Sequence, residues 1–446
     1  MTEMKEIAVP KCVVVYSHSW LPGQVDGVAV RMMAHTRELV NRGVKVVVLT
    51  PDFICDDEQT TGPVPLESIP GVAEHIRLRT SWVPVYRKNK CLQMSFANLR
   101  TVCEVLRRIK PDYMHATQEA GGQALICAAM LCSVPLVISM HTDVIQIAIS
   151  DAGFSSLLGS GTIGRIHTRI AMACVNWGYR NWARSGGNFF TVSKQARTML
   201  RNAGVTDHRV MPGIWGPMVD RDTFRIDLPE AKVQEKRKKL TFGIEGAFLM
   251  AYVGRVTAEK DIQFLVDALD RAPSNVVLAL IGPGSMVKDL KKLHGKKNRL
   301  HCDGEFVVRE EVALCLRACD ACVSASTMET VGFTAMEALS CGTPMLAVKA
   351  QGFAEHLQHG VNARLWKPYD TNSFDTELAA LMKTERTGSW SPEGLRGSMS
   401  DASVVACTDR VLVAYQHASF PAWPRLRCLV ALFYFFINWL FSWFIR

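Results

Sequence analysis

Glu329 and Glu337 stand eight positions apart in TMETVGFTAMEALSCGTP, residues 327–344, with Gly332 between them. The preceding DACVSAS has the composition of a buried strand, TMETVG that of a loop and FTAMEALSCG that of an apolar helix. The N–H groups of Thr330, Val331, Gly332 and Phe333 therefore fall at a helix start, where unpaired donors and the helix dipole hold anions. Glycine there lets the backbone approach a phosphate closely. A nucleoside diphosphate seated on this turn places Glu329 beside an attached sugar. Glu337, one turn inside the helix, is then placed to accept hydrogen bonds from two neighbouring ribose hydroxyls. A plainer reading stays open, with Glu329 a helix cap and Glu337 on a solvated face.

A second group of charges sits in VGRVTAEKD, after another strand-like run: Gly254, Arg255, Glu259 and Lys260. Arg255 can offer phosphate oxygens a forked pair of hydrogen bonds, and Lys260 a point charge. Two carboxylates can also form a glycosidase pair, one nucleophile and one acid. The helix start and the two cations favour another reaction, departure of a diphosphate, which needs charge stabilisation and no proton. Near the N-terminus, SHSWLPGQVDGVAV contains Gly23 and Gly27 and runs into a helix, without the Gly-x-Gly-x-x-Gly dinucleotide fingerprint. His141, in MHTD at the end of a strand, reads as structural from its context alone.

These loops need rigid elements beneath them. CVVVYS (12–17), VKVVVLT (44–50), PDYMHAT (111–117) and PLVISMHTD (135–143) are strand-like, and helical stretches lie between them. AFLMAYVGR (247–255), NVVLALIGPGS (275–285), RLHCDG, DACVSAS and TPMLAVK repeat the rhythm. Strand, helix, strand at this spacing means right-handed βαβ units and parallel sheets. The expected fold is α/β: two doubly wound Rossmann-like domains facing a cleft, whose ligands bind at the carboxyl ends of the strands. The expected division is an N-terminal Rossmann-like domain over 1–222, a C-terminal Rossmann-like domain over 223–398 and a C-terminal helix and tail over 399–446, with the linker in 214–232. Residues beyond about 385 read as loop, then as helix over 402–418.

A chain of 446 residues with 48% hydrophobic and 21% charged residues has material for two cores and no disordered tract. The net charge of +9 is scattered, and its densest runs, VQEKRKKL and KKLHGKK, read as solvated helix faces. Neither aromatic interleaving nor a known module accompanies them, so no nucleic-acid partner is expected. Most of the fourteen cysteines lie in apolar runs and read as small hydrophobes. Cys315, Cys319 and Cys322 lack a fourth ligand nearby, so no metal is expected there. No secretory signal or transit peptide is read at the N-terminus, which favours a reducing compartment. Residues 428–445, CLVALFYFFINWLFSWFI, carry no charge over 18 residues, or ~27 Å of helix. This tail is expected to attach the protein to a membrane, spanning it or lying on it, with packing on the protein as the alternative.

Taken together, GRVTAEK, IGPGS and ETVGFTAMEALSCGTP closely resemble the retaining glycosyltransferases of family 4, which have the two-domain GT-B fold. The likeness runs over roughly residues 12–370. It implies catalytic roles for Glu329, His141, Arg255 and Lys260. The implied donor site comprises Gly27, Gly254, Arg255, Lys260, Glu329, Thr330, Val331, Gly332, Phe333 and Glu337. In such enzymes the first glutamate and the histidine contact the donor sugar, the second glutamate the ribose, and the cations the diphosphate. No cofactor or metal is implied.

Within the family, KPDYMHATQEAGGQALICAAMLCSVPLVISMHTDV and IWGPMVDRDTF look most like the sulfoquinovosyltransferases that make sulfoquinovosyl diacylglycerol. That resemblance implies UDP-sulfoquinovose as donor, a lipid acceptor and a membrane partner. Lipid glycosyltransferases using UDP-glucose or GDP-mannose are the alternative, and a sugar-nucleotide epimerase on the same fold is a more distant one. Two departures bear on this. Met218 stands where members usually have glycine, and the first loop's paired glycines are split as Gly23 and Gly27 with Asp26 between.

Overall fold

The computed structural model describes residues 7–23, 26–57, 60–63, 65–82, 90–118, 122–141, 162–294, 299–387, 390–418, 420 and 424–444. The chain divides into two compact units, one of residues 1–216 and 404–446, the other of residues 217–403.

The first unit opens with β1 (Cys12–Tyr16), α1 (Gly27–Asn41) and β2 (Lys45–Pro51). A small antiparallel ladder follows, β3 (Ile54–Asp57) with β4 (Thr60–Pro63), then β5 (Glu74–Leu78) and a second ladder of β6 (Thr80–Trp82) with β7 (Lys90–Leu92). The chain continues through α2 (Phe96–Ile109), β8 (Tyr113–Thr117), α3 (Gly122–Leu131), β9 (Leu136–Met140), α4 (Thr162–Arg184), β10 (Asn188–Thr191) and α5 (Lys194–Asn202). The main sheet is parallel in the order β10-β9-β8-β1-β2-β5. Its central strands are valine-rich runs buried on both faces, as a sheet covered by helices on each side requires.

The second unit contains α6 (Glu230–Leu240), β11 (Phe248–Val253), α7 (Ile262–Arg271), β12 (Val276–Ile281), α8 (Val287–His294), β13 (Leu300–Cys302), α9 (Arg309–Ala318), β14 (Ala321–Ser324), α10 (Phe333–Ser340), β15 (Met345–Val348), α11 (Gln351–His356), β16 (Ala363–Trp366), α12 (Thr371–Thr387) and α13 (Pro392–Gly397). Its sheet is parallel in the order β13-β12-β11-β14-β15-β16. The chain runs outward from β11 through β12 to β13, then restarts beside β11 with β14. Between β11 and β14 the direction of winding reverses, and such a switch point leaves a crevice at the carboxyl ends of its strands. The basic run of 233–240 lies on α6 and is not wholly solvated: Arg237 pairs with Asp320 at 2.7 Å and Lys236 with Glu311 at 2.5 Å. Helix α13 lies in the stretch expected to be loop, started by Ser391, which caps the N–H of Gly394, and by the proline that follows it.

The last two helices, α14 (Val404–His417) and α15 (Pro424–Phe444), return to the first unit. Residues 404–446 therefore belong with the first unit, and residues 399–403 with the second. On α14, Tyr415 and Thr408 bond His35 of α1. On α15, Ala431 and Phe435 are buried, and the Ala431 carbonyl accepts from Cys127 Sγ at 2.9 Å and Gln123 Nε2 at 3.2 Å, both on α3. One face of the apolar tail is thus taken up by the protein. No helix of the described residues is long and apolar enough to cross a membrane.

Candidate active site

At the switch point of the second sheet the loops after β11 and β14 are tied together three times. Thr334 Oγ1, in the first turn of α10, donates to the Val253 carbonyl at 3.2 Å. Lys260 Nζ donates to Glu329 Oε1 at 2.5 Å, with both side chains largely covered. The Asp261 carboxylate accepts the N–H of Thr327. Arg255, two-thirds exposed, lies within 3.4 Å of Glu259. Gly254 follows β11 directly, and Tyr252 Oη beneath it donates to the Arg255 carbonyl at 2.9 Å.

Loop geometry explains the glycines. A Cβ on Gly284, in IGPG after β12, would lie 2.0 Å from the Val256 carbonyl oxygen, so the loops after β11 and β12 stack backbone on backbone only with glycine here. Gly332 caps α10 with φ of +74°, a left-handed conformation costly for other residues. The N–H groups of Thr330, Val331 and Gly332 form no hydrogen bond among the described residues. Glu329 is not the cap, because its carboxylate is held by Lys260 while its carbonyl accepts the Gly352 N–H at 2.8 Å.

Glu337 is not a solvated residue either. Burial pushes its carboxyl up to about 7, against a lowering by nearby Arg309 and a further raising by Asp220. Arg309 and Asp220 pair with each other at 3.4 Å, and the guanidinium lies 5.2 Å above the Phe224 ring. A half-buried carboxyl that titrates near neutral pH, beside a cation, can take hydrogen bonds from a vicinal diol.

In the first unit His141 follows β9 and is buried, with Nε2 at 2.8 Å from Ser139 Oγ. Its ring lies 5.3 Å from that of Trp215, which also meets His35 and His115 at 5.3 Å. Arg31 sits 5.3 Å over the same indole. Burial, then Arg31 and the histidines His18, His115 and His35, hold His141 well below the ordinary histidine range, so it stays neutral. Gly27 is the first residue of α1, but the two N–H groups after it, of Val28 and Ala29, are taken by Asp26 Oδ1 at 2.9 Å. This helix start carries its own carboxylate and offers a phosphate less than the glycines alone suggest. The linker's turn is made at Gly216, with φ of +74°, so Met218 is free to be buried core.

Known proteins match both halves. A family described as glycosyl transferases group 1 matches residues 233–392, and one described as glycosyl transferase 4-like domain matches residues 26–212. Glycosyltransferase families thus match most of each of the two units. It is 28% identical over 370 residues to the sulfoquinovosyl transferase SQD2 of Arabidopsis thaliana, covering 81% of this chain and 65% of the relative. It is 27% identical to a D-inositol 3-phosphate glycosyltransferase of Xylanimonas cellulosilytica over 61% of this chain and 63% of that one. The chain thus spans less than two thirds of the length of both curated relatives. The structure of Anabaena HepE in complex with UDP superimposes with a TM-score of 0.64 at 18% identity, over 90% of this chain and 98% of that one. A sucrose-phosphate synthase of Thermosynechococcus elongatus gives 0.65 at 16%, over 91% and 97%. The fold is GT-B.

The structure brings Arg255, Lys260, Glu329 and the 330–333 turn to one switch point, with Glu337 following on α10. Sequence reasoning missed Asp261, Tyr252, Gly352, Arg309 and Asp220. Asp261 directly follows Lys260 and was legible as a further polar residue of that turn. Arg309 and Asp220 reach Glu337 from distant segments, which no local spacing reveals.

Proposed function

We propose that this glycosyltransferase moves a hexose-type sugar, with retention of configuration, from a nucleotide-sugar to a lipid acceptor, with UDP-sulfoquinovose to diacylglycerol as the specific reading. The observation that carries the donor half is the tied pair of loops at the β11–β14 switch point. In this reading Arg255, Lys260 and the start of α10 hold the diphosphate, while Glu329 meets the sugar and Glu337 the ribose. Likeness to a sulfoquinovosyl transferase supports the choice of sugar, and the UDP bound by HepE supports the choice of base.

In the proposed reaction the bond between the sugar and the diphosphate breaks while the acceptor hydroxyl arrives on the same face. Arg255, Lys260 and the N–H groups of 330–333 stabilise the departing charge, each contributing ~2–4 kcal/mol if oxyanion-hole magnitudes transfer. A β-phosphate oxygen takes the acceptor proton. Glu329 positions the sugar, Glu337 the ribose, and His141 contacts the sugar as a neutral imidazole. These groups meet the negative charge, so the reading includes no divalent metal. A diacylglycerol acceptor stays in a bilayer, so the reading also includes membrane attachment through the C-terminal segment, with the catalytic units in a reducing compartment.

The test is a transfer assay with UDP-sulfoquinovose, UDP-glucose and GDP-mannose, each with and without dispersed diacylglycerol. The reading expects a glycolipid from the first donor alone. Product from UDP-glucose or GDP-mannose instead would move the donor assignment to the alternatives. Donor conversion without any acceptor would overturn transfer in favour of epimerisation.

A further inference from the structure

Helix α15 has two faces of different fate. Ala431 and Phe435 are buried against α3, while Leu426, Leu429, Phe433 and Phe436 are 58%, 65%, 60% and 49% exposed. Those four recur at intervals of three and four, which places them along one stripe of a helix. Phe96, 53% exposed, extends the apolar surface from α2, its ring 5.1 Å from that of Phe435.

Helix α4 lies antiparallel beside α15: Arg427 bonds the Arg184 carbonyl at one end, and seven residues further along each helix Trp177 meets Tyr434 at 5.6 Å. Charge on this face runs one way. Among the described side chains, α4 and α15 carry Arg169, Arg180, Arg184, Arg425 and Arg427, and α3, α4 and α15 contain no Asp or Glu; α2, which supplies Phe96, carries Glu104 paired with its own Arg100. The whole chain, by contrast, balances 51 basic against 42 acidic residues. Exposed leucine and phenylalanine beside arginine without carboxylate suit an anionic lipid surface, where apolar side chains enter the acyl boundary and guanidinium groups meet phosphates. A second copy of this chain would bring the same positive charge to the contact and be repelled.

We propose that α15, flanked by α4, lies in the plane of an anionic bilayer, with Leu426, Leu429, Phe433 and Phe436 in the acyl boundary. The hydrogen bonds of Cys127 and Gln123 to the middle of α15 hold the helix on the protein and so fix it parallel to the surface. This deepens the lipid-acceptor reading above, and it can fail separately from it.

The experiment is flotation of the full chain with vesicles of phosphatidylcholine and phosphatidylglycerol in equal parts, and with vesicles of phosphatidylcholine alone. Wild type is expected to float with the mixed vesicles and much less with the neutral ones. Leu429→Glu with Phe433→Glu is expected to weaken binding by about tenfold or more, since two apolar side chains leave the acyl boundary and two negative charges meet an anionic surface. Both positions are exposed, so melting temperature and UDP affinity should hold. Equal flotation of the double variant, or no flotation of wild type, would overturn the proposal. So would a concentration-dependent dimer that the two glutamates dissociate, because the stripe would then be a contact between copies. If vesicles fail but short-chain diacylglycerol in detergent is glycosylated, this inference falls and the proposed function stands. If vesicles bind and no acceptor is glycosylated, the reverse holds.

Discussion

At the carboxyl ends of β11 and β14 the side chains are Arg255, Lys260 and Glu329, ion-paired and tied across the switch point. At the carboxyl ends of β1, β8 and β9 stand His18, Thr117 and His141; His18 is joined to Thr117 by two contacts of 2.8–2.9 Å, and His141 is buried against Trp215. Both sheets wind in the same sense from a central strand and reverse beside it. The fold thus supplies two equivalent locations, and only the residue types decide that one is lined by ion-paired side chains and the other by a neutral His141 beside the buried Arg31. The charged end suits an anion that departs; the neutral end suits hydroxyl groups that must be oriented without being ionised.

The largest expected effect falls on the charged end. Lys260→Ala removes a cation from the diphosphate and leaves Glu329 without its partner, so turnover at saturating donor should fall by about 10²–10³-fold. The comparison breaks if this variant keeps wild-type turnover, or if loss of His141 costs as much.

A smaller effect concerns pH and has opposite signs in the two units. Glu337 ionises near 7 in the folded protein and at 4.5 as an unperturbed carboxyl. Between those values the folded state binds more protons than the unfolded state, so stability falls as pH rises through the window, by up to ~3 kcal/mol. Glu337→Gln should remove that decline. His35, His115 and His141 run the other way. Burial holds all three below the ordinary value of 6.5, His115 down to about 3. The unfolded state takes up their protons first, so stability is lost as pH falls below about 6.5. Chemical denaturation across pH 4.5–8, wild type against Glu337→Gln, checks the sign. Nucleotide affinity provides the sharper reading: UDP binding should weaken as pH drops through about 7, and Glu337→Gln should flatten the curve.

The same contrast explains what the sequence made legible. The charged end is local: Glu329, Gly332 and Glu337 lie within one strand-turn-helix unit, and Arg255 and Lys260 within another, so spacing alone suggests both. Parallel strands were equally plain, because runs such as CVVVY and FLMAYV are apolar throughout. The neutral end is assembled from afar. Arg31, His35, His115, His141, Trp215 and Tyr415 come from α1, β8, the end of β9, the linker and α14. No window of sequence contains them together, and His141 by itself reads as structural. The C-terminal helix was visible as an apolar run, but its hydropathy does not reveal that Ala431 and Phe435 face the protein while Leu429 and Phe433 do not.

The finest division between the ends is kinetic. His141 touches Ser139 through Nε2, and the Ser139 hydroxyl is also 3.4 Å from the Ala116 carbonyl, to which it can donate. Its oxygen then accepts from Nε2–H and leaves Nδ1 as the acceptor for a sugar hydroxyl. A neutral imidazole that orients one hydroxyl contributes about 1–1.5 kcal/mol, so His141→Ala should lower turnover by roughly tenfold. In the proposed reaction the UDP moiety makes no use of that contact, so its affinity should be unchanged. Burial and four neighbouring bases keep the ring uncharged, so the wild-type rate profile should show no limb from this histidine between pH 5 and 8. A limb present in wild type and absent in His141→Ala would mean that the ring titrates during turnover. The neutral end would then carry acid–base chemistry, and the division of labour between the two sheets would fail.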